Sequence, residues 1–448
     1  MSANGPNGET RGSGIGGAAG LAMRQGRRKV PGADRPPADG TLPRCAVFGV
    51  CGGCLLQDVS YPAQWAWKVE RVRRELARVG VPAARVAEGW PASNPYAYRN
   101  KMEFTFGTDG LPGLHRRGGF GSVVPLTTCP IALPQINRAL SAVYAWAAAE
   151  KLPGYDKRTG EGFLRHVMVR ASEGRGEWLV LLTTTSPERL DGGTARWEAA
   201  LRRLMDRLAT EPGFVSLAWT LDESPGDALH GLDRPVLRYG SAAIEETLGG
   251  FRFRIEPATF FQTNTPQAER LVQRVLALAA PNPGDRVLDL YAGTGTFTLP
   301  LARAVGPSGD VLGVDYVEAA VRAGFANATA NGLAHTRWIA GTVRAVLAEL
   351  AKGRSWPVTC GEPLPVAWQP DLVVLDPPRA GAGPKVMGRM ARLAPRRIVY
   401  VSCNPAALAT DLAFLAPYGY RLTTAEPLDL FPQTPHVETV ALLEPARP

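Results

Sequence analysis

The residues best suited to chemistry lie in the stretch Ile398-Val-Tyr-Val-Ser-Cys403-Asn-Pro405. Its β-branched and aromatic run reads as a buried strand, and Asn404-Pro405 ahead of Ala-Ala-Leu-Ala reads as a helix start with proline in its first turn. Cys403 therefore falls at a strand-to-helix junction, where open α/β sheets carry their reactive groups and where the positive end of a helix favours a thiolate. That is a nucleophile's position; the plainer alternative is a buried cysteine acting as a small hydrophobe. Asp371-Leu-Val-Val-Leu-Asp376-Pro-Pro-Arg379 places a carboxylate on another strand tip, held by two prolines. Glu438, in His436-Val-Glu438-Thr-Val-Ala-Leu-Leu, opens a hydrophobic strand, where a carboxyl loses water and its pKa rises toward that of a useful base. A lone glutamate at a strand end is otherwise simply solvated.

Two further sets of residues suggest ligands. Val287-Leu-Asp289-Leu-Tyr-Ala-Gly293-Thr-Gly295-Thr is a strand running into a glycine turn of the kind that lets a nucleotide-like ligand approach the backbone. Asp315 ends the next strand, where a carboxylate can accept hydrogen bonds from two ribose hydroxyls; a dinucleotide site would prefer a third glycine near Thr298, and none is present. Near the other end of the chain, Cys45, Cys51 and Cys54 stand within ten residues around a double glycine, with Cys129 as the candidate fourth thiolate. Soft thiolate ligands select zinc or an iron-sulfur cluster, and spacing does not decide between them.

The elements that must position these groups follow from hydropathy and composition. From Arg286 onward strands and helices alternate, which predicts an α/β domain over 259–448. Residues 44–258 hold alternating stretches such as Leu164–Arg170 and Trp178–Thr184, and predict a mainly β central domain with a helix near 196–209. Trp65–Val79 has helical spacing and a basic face, read as solvated. Tyr98, Arg99 and Lys101 pair aromatic and basic groups suited to phosphates and bases. Phe260-Phe261-Gln262-Thr263-Asn264 precedes a helix over about 266–279. Residues 1–43 are rich in Gly, Pro, Ala and Arg and read as a disordered tail. Neither a secretory apolar core nor a membrane span is found, which makes the cytoplasm the default location. A net charge of +9 and a pI near 9.4 favour a polyanionic partner.

In this order, the four cysteines, Tyr98-Arg-Asn-Lys101, Phe261-Gln262-Thr-Asn264, Asp376-Pro-Pro-Arg379, Ser402-Cys403-Asn-Pro405 and His436-Val-Glu438 resemble the RNA uracil-C5 methyltransferases, which make 5-methyluridine in ribosomal and transfer RNA. The resemblance spans Cys45 to Leu443. It implies a Rossmann-like class I catalytic domain that uses S-adenosylmethionine, and a [4Fe-4S] cluster on Cys45, Cys51, Cys54 and Cys129 that is structural or RNA-orienting. By the same resemblance Cys403 is the nucleophile that adds to uracil C6 and Glu438 the base that removes the C5 proton. Gln262 and Asp376 line the pocket between cofactor and uracil, while Tyr291, Thr296, Asp315 and Thr342 contact the cofactor. The target base must leave its stack, with Phe260 or Phe261 as candidate supports. The cluster motif favours 23S ribosomal RNA over transfer RNA, although only the tail stands where many 23S enzymes carry an OB-like domain. Amino-group methylation would leave Cys403 and Glu438 idle, a nicotinamide oxidoreductase rests on the glycine turn alone, and a non-catalytic iron-sulfur RNA-binding protein would not need the retained active-site residues.

Overall fold

A computed structural model describes residues 35–226 and 235–446 of the 448-residue chain. Up to residue 34, the tail expected over 1–43 lies outside the described residues. Helix α1 (Tyr61–Ala77) opens with Pro62 in its first turn and buries Val69, Val72 and Leu76 at helical spacing. Its basic face is not all solvated, as the sequence suggested. Lys68 is fully buried, and its ammonium donates to Asp429 Oδ1 at 2.6 Å and to the Phe431 carbonyl at 3.0 Å. Val72 and Leu76 share an apolar cluster with Leu288, Val373 and Tyr400, so this early helix walls the late half of the chain.

The next segment forms a seven-stranded sheet. Strands β1 (Lys101–Phe106), β2 (Pro112–Arg116) and β3 (Gly119–Pro125) make an antiparallel meander, followed by helix α2 (Pro134–Glu150). Strand β4 (Leu164–Ala171) pairs with β1, and β5 (Trp178–Thr184), α3 (Gly193–Ala209) and β6 (Phe214–Leu221) form a parallel crossover before β7 (Leu237–Gly240). Helices α2 and α3 pack through Trp146 and Trp197, whose rings meet edge-on at 6.4 Å, while the Trp146 indole donates to the Ala200 carbonyl. The mixed, mainly β domain expected here takes the form of a seven-stranded sheet with a helical layer. The helix near 196–209 is there, but α2 was missed, although Ile136, Leu140, Val143 and Ala147 recur at helical intervals.

Strands β4 and β5 are buried along their whole length. Met168, Leu179 and Leu181 pack with the hairpin of β8 (Ile244–Leu248) and β9 (Phe251–Ile255), which turns on Gly249-Gly250 with positive φ at both residues. The same core takes in helix α4 (Thr265–Ala279), and through Leu271, Val272 and Val275 it continues into the second sheet.

That sheet carries the candidate catalytic residues. Strands β10 (Arg286–Leu290), β11 (Asp310–Asp315), β12 (Thr336–Ala340), β13 (Leu372–Leu375) and β14 (Arg397–Ser402) are parallel, with helices α5 (Thr298–Val305), α6 (Glu318–Ala330), α7 (Val343–Leu350), α8 (Pro384–Arg392) and α9 (Pro405–Leu415) between and after them. Strands β15 (Tyr420–Leu428) and β16 (Glu438–Pro445) complete the order β12-β11-β10-β13-β14-β16-β15. Because β16 runs antiparallel to β14, with Ser402 opposite Thr439, the start of β16 lies at the edge where the parallel strands end. Among the described residues no helix is long and apolar enough to cross a membrane.

Candidate active site

One sheet edge gathers the tips of β10, β11, β13 and β14 and the start of β16. Cys403 follows β14, and Asn404 caps α9 with its side-chain oxygen accepting from the Ala406 amide at 3.3 Å. Glu438 stands on the neighbouring strand and is 6% exposed. Burial foremost, then the nearby Asp376 carboxylate, pushes Glu438 up to about 8, against the opposing pull of Arg379. Asp376 is pushed up to about 7 by the desolvation of its surroundings. Cys403 is pushed up to about 11 by burial first and then by Glu438 and Asp376. Burial and the two carboxyls thus oppose the thiolate that the start of α9 and Arg379 favour.

The Arg379 guanidinium donates to His436 Nδ1 at 3.0 Å, and its carbonyl accepts from Asn404 Nδ2 at 3.0 Å. The Asp376, Cys403 and Glu438 turns are thereby tied together. His436 is held down to about 4 by burial and by Arg379, Lys68, Arg71 and Arg99, so its neutral ring accepts at Nδ1 and carries its proton on Nε2.

The residues expected to contact a cofactor cluster at β10 and β11. Asp289 is fully buried, takes a hydrogen bond from Thr298 Oγ1 at 2.5 Å, and leaves Oδ1 without a partner among the described residues. Burial above all raises its carboxyl to about 7. Asp315 accepts from the Gly293 amide at 3.0 Å and the Val317 amide at 2.9 Å, so it shapes the glycine turn while keeping lone pairs for a ligand. Tyr291 takes φ +63° in that turn, and Thr296 is 8% exposed beside it. Thr342 is exposed and caps α7; the preceding Gly341 amide donates to the Asp315 carbonyl, which sets Thr342 at the same edge. Sequence reasoning missed Trp338, which is fully buried beneath the turn: a Cβ on Gly295, at φ +96°, would stand 2.4 Å from Leu299 and 3.0 Å from the indole. Gly295→Val is expected to add about 1–3 kcal/mol of local strain and to raise the KM for S-adenosylmethionine roughly tenfold, as read from initial rates at varied cofactor.

The aromatic pair separates. Phe260 is 65% exposed, whereas Phe261 is buried against Phe253 with ring centroids 5.4 Å apart. Phe261 is thus a core residue and Phe260 the accessible ring. Phe261→Ala is expected to cost about 3–5 kcal/mol of stability, measured by denaturant unfolding. Gln262 is buried, and its carbonyl accepts from Asn100 Nδ2 at 2.9 Å, while the Asn100 amide donates to the Thr263 carbonyl at 2.9 Å. Two motifs far apart in the chain are thus bonded into one wall.

Cys45, Cys51, Cys54 and Cys129 line one cavity of about 370 Å³, together with Arg99, Lys101, Arg170 and Phe260. All four thiols are free of disulfides. Burial first, and then one another's charge, raises Cys51, Cys54 and Cys129, with Cys54 at about 12. Among the described residues no three His, Cys, Asp or Glu side chains converge on a single ion. Among the described residues, Arg170 Nε and Thr263 Oγ1 are buried without partners at the same cavity.

A parallel sheet with helices between its strands and a glycine turn at the tip of β10 is the α/β fold of S-adenosylmethionine-dependent methyltransferases, and comparison with known proteins bears this out. A family profile described as tRNA (Uracil-5-)-methyltransferase matches residues 243–446. An uncharacterized RNA methyltransferase of Caldanaerobacter subterraneus subsp. tengcongensis is 36% identical over 92% of this chain and 86% of its own length. One from Nitratidesulfovibrio vulgaris is 37% identical over 91% and 83%. The crystal structure of the Pyrococcus abyssi tRNA (uracil-54, C5)-methyltransferase, in complex with S-adenosyl-L-homocysteine, is similar with a TM-score of 0.69 and 29% identity, over 88% of this chain and 84% of that one. The chain belongs to the RNA uracil-5-methyltransferase family.

Proposed function

We propose that the protein methylates carbon 5 of one uridine in 23S ribosomal RNA, with Cys403 as nucleophile and Glu438 as base. The observation that carries this reading is the antiparallel pairing of β14 and β16, which sets Glu438 on the strand beside the Cys403 turn. Uracil C5 is too electron-poor to take a methyl group unaided. The Cys403 thiol loses its proton to water and its sulfur bonds to C6, pushing the ring electrons onto the O4 enolate. Arg379 is the neighbouring cation that favours the thiolate. S-adenosylmethionine, when bound, supplies the methyl group that C5 then takes. Glu438 removes the C5 proton, the C5–C6 double bond re-forms, and Cys403 leaves as thiolate. Gln262 and Asp376 face the uracil and cofactor; Tyr291, Thr296, Asp315 and Thr342 hold the cofactor.

The four thiols suit a [4Fe-4S] cluster. Thiolates on one zinc ion must converge to about 2.3 Å from it, whereas a cluster takes each thiolate on a different iron. That all four thiols line one cavity supports a shared ligand set, and the order of motifs along the chain favours the cluster over zinc. Ligation must expel the protons that burial holds on these thiols. Anaerobically purified protein is expected to contain iron and acid-labile sulfide, both lost in Cys51→Ser; a single equivalent of zinc and no sulfide would overturn this.

The basic groups of Arg99 and Lys101 beside the exposed Phe260 support an RNA strand as substrate. The cysteine set supports the ribosomal substrate. Transfer RNA is the second reading, favoured by the substrate named for the Pyrococcus abyssi enzyme. The test is methyl transfer from labelled S-adenosylmethionine to unmodified 23S RNA and to transfer RNA, with nuclease mapping of the product. Label at one 23S uridine is the expected result; label in transfer RNA alone keeps the chemistry and reassigns the substrate; no label in either would leave a binding protein.

A further inference from the structure

The segment between β15 and β16, from Asp429 to Val437, ends one residue before Glu438 and forms no helix or strand. Its backbone carbonyls are nonetheless satisfied one after another by donors from distant parts of the chain. Gln267 Nε2 donates to Asp429 O and Asn264 Nδ2 to Leu430 O, each at 3.0 Å. Lys68 Nζ donates to Phe431 O at 3.0 Å and Tyr98 OH to Pro432 O at 2.9 Å. The amides of Leu55 and Leu56 both donate to Gln433 O, at 2.9 and 3.1 Å. Arg71 Nη1 closes the series on Pro435 O at 2.6 Å, directly before His436.

This pattern has a physical consequence. An irregular segment has no internal ladder to set its shape, so apart from local turns through Asp429 and Thr434 its shape depends on these distant partners. Gln433 demonstrates it: at φ +67° it holds a left-handed conformation that a non-glycine residue keeps only when its surroundings over-determine it. Gln64 supplies part of that constraint, exchanging side-chain hydrogen bonds with the Gln433 amide nitrogen and side-chain oxygen at 3.2 and 3.0 Å. Leu55 directly follows Cys54, whose own carbonyl is held by Arg117. The run Cys54-Leu55-Leu56, hydrogen-bonded at each residue, thus joins the cysteine cavity to the segment that precedes Glu438.

We propose that Arg71, with the Leu55–Leu56 amides of the cysteine segment, positions Glu438, so that the N-terminal cysteine region governs the proton-removal step. In this role these groups act on Glu438 through the backbone of the segment from Asp429 to Val437. The inference rests on Glu438 being the base. A displacement of about 1 Å in a catalytic group slows its step by about 100-fold, so loosening this segment slows product release from the enzyme while methyl transfer and cofactor binding persist.

The test compares Arg71→Met, which keeps the apolar stem, with Arg71→Lys, which restores a donor, using the full chain and a 23S RNA fragment. Expected for Arg71→Met is a covalent enzyme–RNA adduct that persists 10- to 100-fold longer than in wild type, a KM for S-adenosylmethionine within about twofold, and faster amide hydrogen exchange over 429–437 than in β10 to β14. Arg71→Lys is expected to recover most of the release rate. A second perturbation, Cys51→Ser, should accelerate exchange in the same segment without any RNA present. If Glu438→Gln traps the adduct while Arg71→Met releases it as fast as wild type, the positioning proposal is overturned and the base assignment stands. If Glu438→Gln itself does not trap the adduct, the base assignment fails and the proposal goes with it.

Discussion

Replacing Cys403 by alanine is expected to abolish methyl transfer, by on the order of 10⁴- to 10⁶-fold, the range seen when a covalent nucleophile is removed from an enzyme. Cofactor binding should change little, because the glycine turn and Asp315 stand on β10 and β11, across β13 from the thiol. Single-turnover methyl transfer and equilibrium dialysis of labelled S-adenosylmethionine separate the two effects. Residual turnover near that of wild type would remove Cys403 from the mechanism. A pH signature accompanies this prediction. With the resting thiol raised to about 11 by burial, Glu438 and Asp376, the rate of adduct formation in wild type should climb with pH through the neutral range, since only the thiolate attacks.

Glu438→Gln is expected to separate the two halves of the reaction. Methyl transfer to one uridine per enzyme should proceed, and release should slow by on the order of 10²- to 10⁴-fold, the usual contribution of a general base. Denaturing gels would then show enzyme bound to methylated RNA; rapid release would assign the base elsewhere. In wild type the release step should accelerate as pH rises through about 8, where the carboxyl ionises.

The same shift has a stability consequence of definite sign. The folded carboxyl keeps its proton to about pH 8, whereas the unfolded one loses it near 4.5, so between those values the folded state binds more protons and wild-type stability falls as pH rises. The glutamine variant escapes this, and its Tm relative to wild type should increase from pH 5 to pH 9. A constant difference across that range would mean that Glu438 is ionised throughout.

Much of the catalytic half was legible in the sequence because its signals are local. A β-branched run followed by Asn-Pro is a strand and a capped helix whatever surrounds it, and β14 and α9 begin and end close to where Ile398-Val-Tyr-Val and Asn404-Pro405 place them. The glycine turn was equally readable, since φ +54° at Gly293 and +96° at Gly295 are conformations that glycine adopts without strain. Helix α2 was readable and went unread. By contrast, nothing adjacent to Phe260 and Phe261 distinguishes the exposed ring from the buried one; only the packing of Phe253 does so. Nor does the spacing of α1 announce that Lys68 is buried, because its partner Asp429 lies far along the chain.

By itself, the sequence determined which chemical groups are available, the strand, turn and helix on which each is carried, and the order of motifs that marks the family. The tertiary structure decided which groups meet and in what protonation state. Glu438 reaches Cys403 only because β16 inserts antiparallel beside β14, and strand pairing between distant segments is a property of the whole sheet. The thiol is raised by desolvation first and then by the neighbouring carboxyls, against the pull of Arg379, and the packed interior brings those groups together. The segment before Glu438 takes its shape from α1, the cysteine segment and α4, because backbone carbonyls without a ladder of their own must be satisfied by whatever the fold brings to them.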